Sequence, residues 1–268
     1  MTFYFETNAY SKNRTQKLRF PRRKMVAKGL QETWQSDIAD VSKLKGSNGG
    51  FRYILGMIDV FSRKAYCLPM KKKDAATMVK TLRTFFDNST VKPKLFCTDA
   101  GGEYTADIVI SLLKSYNIRP YTMASDTGAA IIERFWRTLK KKLYTYMSAN
   151  RTKKFINILD DVVDSYNRSI HTSHGFAPAS VTKEHTEIIR NRLYPPEVVD
   201  SKPKFQVGQR VRVRIERKTF LRGFQEQFTQ EIFIIESVRI GTPTVFTLKA
   251  ENGDDVSGTY YAQQMVET

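Results

Sequence analysis

From residue 31 onward the apolar positions fall first into the runs and alternations of strands, then into the three-to-four spacing of helices. "ETWQSDIADVSK" reads as one short strand. "GGFRYILGMIDVFSRKAYCLPMKKK" reads as two more joined by a tight turn near Phe61–Arg63, so three antiparallel neighbours are expected. Behind Asp74, a residue suited to an N-cap, Ala75, Met78, Val79, Leu82 and Phe86 recur at helical spacing. "KPKLFCTD" then reads as a strand ending in a glycine turn, "TADIVISLLKSYN" as a helix and "IRPYTM" as a strand. From Gly128 a long helix follows with Ile132, Phe135, Leu139, Leu143 and Tyr146 as its apolar stripe, and "KKFINILDDVVDSYNRSI" supplies another helix. Strands alternating with helices predict an α/β core, a mixed sheet flanked by helices.

Outside that core the pattern changes twice. Residues 1–30 are basic, broken by Pro21 and Gly29, and without a sustained period, which predicts an extended arm. The core is expected over 31–190 and a proline-punctuated linker over 191–204, with Pro195, Pro196 and Pro203. Residues 205–268, from the alternating "QRVRVRI" to "SGTYYA", carry several short strands and no helical period, which predicts a small all-β barrel.

Charge narrows the class of partner. A formal net charge of +17 recruits polyanions, nucleic acid first among them. The excess sits early: residues 1–33 carry eight Lys/Arg against two acids, and 34–149 nineteen against ten. No stretch approaches the ~20 apolar residues of a membrane span, so a soluble, intracellular protein with no membrane partner is expected. Cys67 and Cys97 lie in apolar runs and read as buried thiols in a reducing compartment. His171, His174 and His185 have no cysteine near them, which argues against a zinc module of the His/Cys kind.

Three acids stand where secondary structure rarely wants them. Asp37 interrupts an apolar strand, Asp99 ends another against Gly101–Gly102, and Glu133 opens a helix whose polar face is otherwise cationic. Each has an ordinary reading: Asp37 (or its rival Asp40) facing solvent, Asp99 as a turn residue, Glu133 as a first-turn acid favoured by the helix dipole. Together they form an oxygen-ligand set for a hard divalent cation. With Glu133 at zero, Arg137 falls at about 40° and Lys140 at about −20° round the helix, so one face offers a metal ligand and phosphate clamps together. Two Mg²⁺ (or Mn²⁺) ions on three carboxylates would serve in-line attack on a phosphodiester.

These motifs resemble a known family. "WQSDI", "IDVFSRKAYCLPMKKK", "CTDAGGEY" and "IIERFWRTLK" are similar to the first-aspartate strand, the following strand pair, the second-aspartate motif and the glutamate helix of retroviral-type integrases with a DDE active site, in particular those of Maverick/Polinton DNA transposons. Thirty-three residues separate Asp99 from Glu133 (133 − 99 − 1), near the family's spacing of 35 or so. "YNRSIHTSHGFAPASV" is similar to the segment after that core, and "FQVGQRVRV" with "GTYYAQQM" to a C-terminal SH3- or chromo-like module.

The resemblance implies an RNase H-like fold and a metal-dependent DNA strand transferase that processes element DNA ends and joins their 3′-hydroxyls to target DNA. Asp37, Asp99 and Glu133 would be both catalytic and metal-binding, and Arg134, Arg137, Lys140 and Lys141 would contact DNA. It also implies a homo-oligomer acting in the nucleus, with chromatin as a further partner. Two departures stand out: the family's His-His-Cys-Cys module is not in this sequence, and Gly128 occupies a usual lysine position. The rival reading is a domesticated transposon remnant, a non-catalytic DNA- or chromatin-binding protein.

Several residues keep two readings. Arg19, Arg22, Arg23 and Lys24 form a strip suited to DNA backbone. Lys71–Lys73 read as a solvated strand end or a phosphate site, and Trp34 as a core residue or a base-stacker. His171 and His174 read as loop-satisfying groups, and Arg210, Arg212 and Arg214 as a solvated or DNA-facing strand face.

Overall fold

The strand that carries Asp37 is the middle one of five. In the computed structural model, which describes residues 20, 23, 25–123, 129–195, 202–215 and 227–268, β1 (Thr33–Asp40) pairs antiparallel with β2 (Tyr53–Asp59) and parallel with β4 (Leu95–Thr98). β2 pairs antiparallel with β3 (Ala65–Met70), and β4 parallel with β5 (Arg119–Thr122). The order is β3-β2-β1-β4-β5. The parallel pairs need crossovers, and the helices α1 (Ala75–Asn88), α2 (Gly102–Thr105) and α3 (Asp107–Ser115) supply them. Asp74 caps α1, its Oδ1 accepting from the Thr77 N–H at 2.7 Å.

Strand alternation sends side chains to two faces, and each face has its own core. On one, Trp34, Leu55, Met57 and Phe96 pack with Met78, Leu82 and Phe86 of α1 and Val109, Leu112 and Leu113 of α3. Trp34 is fully buried and stacked on Tyr66, a core residue rather than a base-stacking one. On the other face, Ala39, Ile54 and Ile58 pack under α4 (Ala130–Ala149) and α5 (Leu159–Arg168). The buried stripe of α4 is Ile132, Phe135, Trp136, Leu139, Leu143 and Met147. The expected Tyr146 is exposed; its place is taken by Met147, because the stripe follows the 3.6-residue turn down to the last coil. Cys67 and Cys97 are both buried and reduced, and burial pushes both thiols well above their ordinary range.

The chain separates into two compact units, Met25–Pro195 and Pro196–Thr268 together with Met1–Lys24. Two expected boundaries move. Residues 25–30 belong to the core unit: Ala27 is fully buried with Val60, Phe61, Ile189 and Leu193, flanked by Met25 and Leu30. The expected start of the linker at 191 is also too early, because α6 (Thr186–Leu193) runs on to bury Leu193 in that same cluster. A short apolar patch in a charged stretch gives no period from which either packing could be read.

The second unit is an antiparallel five-stranded sheet, β6 (Arg210–Val213), β7 (Phe233–Arg239), β8 (Val245–Ala250), β9 (Asp255–Tyr261) and β10 (Met265–Glu267), in the order β10-β6-β7-β8-β9. Its core is Phe205, Val211, Phe233, Ile235, Phe246, Leu248 and Met265. Phe20 packs on Tyr261, and the Arg23 guanidinium donates to the carbonyls of Arg239 and Pro243 at 2.9 and 3.2 Å. The three strand arginines do not share one environment. Arg210 is exposed and paired with Glu251, whereas Arg212 is buried and donates to the carbonyls of Thr229 and Gln230. These carbonyls, both accepting from Nη1, offset part of the cost of burying its charge.

Candidate active site

The parallel register of β1 and β4 pairs Gln35 with Cys97. Carried two residues on, it sets Asp37 beside Asp99 at the end of the sheet. Asp99 folds into its own turn, Oδ1 accepting from the Gly101 N–H at 3.1 Å, so the turn reading and the site reading describe one arrangement. Asp37 is half-buried, with Oδ1 accepting from the Ile38 N–H at 2.7 Å. Its rival Asp40 lies exposed at the strand end and caps the following turn through the Ser42 N–H at 2.8 Å.

Burial raises the Asp37 pKa first, the Ile38 N–H opposes it, and the Asp99 charge raises it further. Trp136 and Lys73 pull the other way. The Trp136 indole N–H lies at the Asp37 carboxyl without completing a well-aligned hydrogen bond, for Nε1 is buried with no partner at bonding geometry. We read the contact as an electrostatic one.

The glutamate helix is tied to the same strand by a residue that sequence reasoning passed over. Ala129 gives α4 no side-chain cap; instead the buried Gln35 carboxamide accepts from the Ile132 N–H at 3.0 Å, satisfying a donor that the first helical turn leaves open. Two residues along a strand advance about 6.6 Å and four along a helix about 6 Å. Gln35 therefore meets Ile132 while Asp37 meets Trp136, and Glu133 lies between those two contacts. Trp136 is admitted by Gly56, the partner of Asp37 in the β1–β2 ladder: a Cβ there would come within 2.5 Å of Trp136 Cζ2. The sequence signal was available, since a glycine inside an apolar strand marks a close approach.

Glu133 is exposed on the first turn of α4. The structure brings Asp37 and Asp99 together and leaves Glu133 outside their cluster: among the described residues no three His, Cys, Asp or Glu side chains gather closely enough to hold an ion. Like charges repel, so three carboxylates have no reason to converge without a cation between them. The donors at Asp37 and Asp99 are all oxygen, with burial and mutual repulsion acting on Asp37, and this chemistry fits a hard divalent ion.

Arg137, Lys140 and Lys141 are exposed along α4, and the Lys140 charge reaches Asp40, so the basic stripe adjoins the carboxylate end of β1. Arg134 is exposed too, but lies about 100° round from Glu133, and its charge acts on Arg63 and His171. Arg22, Lys24 and Gly128 lie outside the described residues. Near Asp99, Lys73 pairs with Glu103 at 3.1 Å, and Tyr104 is buried with its hydroxyl 3.0 Å from Ser36 Oγ. His174 is fully buried, Nε2 against the Ser62 carbonyl at 3.0 Å and Nδ1 accepting from the Phe176 N–H at 3.2 Å. Both ring nitrogens thus satisfy loop groups.

Comparison with known proteins gives this arrangement its family. The integrase core domain model matches residues 29–128. A transposon-derived protein of Caenorhabditis elegans is 30% identical over 213 residues, which cover 79% of this chain and 71% of that protein. The chain belongs to the transposon-derived integrase core-domain family. A second relative of this integrase-family chain, the retrovirus-related Pol polyprotein from transposon 412 of Drosophila melanogaster, is 27% identical over 114 residues, 42% of this chain but 9% of the polyprotein. In fold the chain is similar to one in the cryo-EM structure of the simian T-cell lymphotropic virus intasome in complex with PP2A regulatory subunit B56 gamma. The TM-score is 0.67 at 16% identity, over 97% of this chain and 86% of that one. The five-stranded mixed sheet with its helices is thus the RNase H-like core of the integrase fold.

Proposed function

We propose that the protein is a metal-dependent DNA strand transferase that trims the ends of a mobile element and joins their 3′-hydroxyls to target DNA, acting as a homo-oligomer on nuclear DNA. The observation that carries this reading is the placement of Asp37 on β1 and Asp99 just past the end of the neighbouring parallel strand β4, with the Glu133 helix docked on Gln35 of β1. Asp37, Asp99 and Glu133 would hold divalent ions, Mg²⁺ or Mn²⁺. Such ions make a hydroxyl oxygen nucleophilic at neutral pH and stabilise the leaving oxygen of an in-line displacement.

The remaining work falls to the chain. Trp136 and the Ile38 N–H orient the Asp37 carboxylate, and the Asp99 turn holds the second one level with it. Arg137, Lys140 and Lys141 place the duplex by its phosphates, which fixes register and reads no sequence. Joining is a transesterification: the attacking 3′ oxygen forms one P–O bond, the target's P–O3′ bond breaks, and the hydroxyl proton passes through solvent to the leaving oxygen. No energy source is consumed. The antiparallel sheet of β6 to β10 is proposed as an SH3-like module.

The test is to incubate the full chain with Mn²⁺ or Mg²⁺, a labelled duplex bearing a 3′-hydroxyl end and a supercoiled plasmid. Nicked and joined products are expected, abolished by chelation and reduced at least a hundredfold in Asp99→Asn and Glu133→Gln. Products that survive either substitution would sink the assignment. DNA binding that ignores chelation, with no nicking or joining, would favour the non-catalytic remnant.

A further inference from the structure

The acidic pair has a cation built beside it. Lys73 follows β3 and precedes the Asp74 cap of α1, and its Nζ lies 3.1 Å from Glu103 Oε1. The Glu103 side chain is 10% exposed and that of Lys73 43%, so a nearly buried acid grips a lysine that still reaches solvent. The Glu103 carboxylate folds back over Gly101, so closely that a Cβ there would meet it at 2.7 Å. The charge of Lys73 acts on Asp37, Asp99 and Asp40 as well. A lysine on a flexible stem is usually free to leave such a neighbourhood; this one is held there by an acid outside the proposed ligand set.

We propose that Lys73, clamped by Glu103 over Gly101, receives a non-bridging oxygen of the reacting phosphodiester at the Asp37–Asp99 site. This rests on the strand-transferase reading. A site made of carboxylates alone repels the phosphate it must receive until metal is bound. A fixed ammonium beside them offers part of the positive field in advance and acts where charge develops on the phosphorus oxygens. It also repels a divalent cation, so the same residue should weaken metal affinity while promoting the reaction. A purely structural ion pair predicts no such opposition.

The experiment compares the full chain with Lys73→Gln, Lys73→Arg and the neutral pair Lys73→Gln/Glu103→Gln, which keeps a hydrogen bond between the two positions. Mn²⁺ binding is measured by calorimetry without DNA, and Mn²⁺-dependent nicking of supercoiled plasmid at saturating metal. Lys73→Gln should bind Mn²⁺ roughly three- to tenfold more tightly, by removal of a like charge, and nick at least tenfold more slowly. The neutral pair should return Mn²⁺ affinity towards the wild-type value and stay slow, and Lys73→Arg should keep most of the rate. Lys73→Gln that nicks at the wild-type rate overturns the proposal, as does a loss shared equally by Lys73→Arg and tracking the melting temperature. A wild-type chain that binds Mn²⁺ and nicks while Lys73→Gln changes neither measurement overturns the Lys73 role alone; a wild-type chain that does neither overturns the reading of the site, and this with it.

Discussion

Gly56 and Trp136 meet across the sheet-to-helix interface so closely that the indole occupies the space a side chain at position 56 would fill. Because Gly56 is the ladder partner of Asp37, this contact sets how near the glutamate helix comes to the first aspartate. Gly56→Ala should destabilise the chain by about 1–3 kcal/mol, the range for overpacking a tight core. Trp136→Phe removes the outer ring atoms that the new methyl would strike. In urea unfolding the double variant should therefore lose less than the two single variants summed; additive losses would mean that the crowding lies elsewhere.

Asp37 illustrates a candidate site residue held at some cost to the fold. Burial, then the Asp99 charge, raises its pKa, so its contribution to stability is fullest below the ordinary carboxylate range and is lost as pH rises through the raised value. Near neutral pH the ionised group is destabilising. Asp37→Asn keeps an oxygen to accept from Ile38 N and should gain up to about 1 kcal/mol after allowance for its part exposure. Urea midpoints at pH 7.5 check this. Added Mn²⁺ should raise the wild-type midpoint and leave the variant unchanged, since only a native state that binds the ion is stabilised.

His171 carries the pH dependence in the opposite sense. Burial chiefly, with the neighbouring His174 and the charges of Arg63 and Arg134, lowers it to about 4. Its Nδ1 accepts from the Ser173 N–H at 3.3 Å, a bond that protonation there would end. With the folded value below the unfolded one, the stability it supports is complete above about pH 6.5 and is lost as pH falls towards 4. The loss should be about 2 kcal/mol once part exposure is discounted. Urea midpoints between pH 7 and 4.5 should fall in the wild type and flatten in His171→Gln; an equal slope in both would assign the dependence to other groups.

In the second unit Arg210 and Arg212 should separate cleanly. Arg212→Ala strips two carbonyls of a buried charged donor and should cost about 2–4 kcal/mol. Arg210→Ala, which loses an exposed ion pair with Glu251, should stay within about 0.5 kcal/mol. Thermal unfolding of each variant, followed by circular dichroism, distinguishes them, and equal losses would contradict the burial of Arg212.

Much of the core was readable because its elements are long and periodic. The helix led by Asp74, the hairpin around Phe61–Arg63 and the acids at strand ends all leave local marks, and Trp34 reads as core from its surroundings. Short-range pattern misled at Tyr146, at Arg212 and in residues 25–30, where a distant partner decides which side of an element is covered. Arg23 reads as part of a strip suited to DNA backbone, yet in the structure its guanidinium binds backbone carbonyls more than 200 residues away in sequence.

The sequence alone determined which residues are proposed for the chemistry: Asp37, Asp99 and Glu133 stand out because a carboxylate in a strand end or a cationic helix conflicts with its local surroundings, and that conflict is written in order along the chain. Only the tertiary structure decided what surrounds them. Gln35 capping the glutamate helix, Gly56 admitting Trp136 beside Asp37, and Glu103 gripping Lys73 each join segments whose proximity follows from strand order and register. A contact made through pairing and packing has no period of its own in the chain, so it becomes visible only once the sheet is assembled.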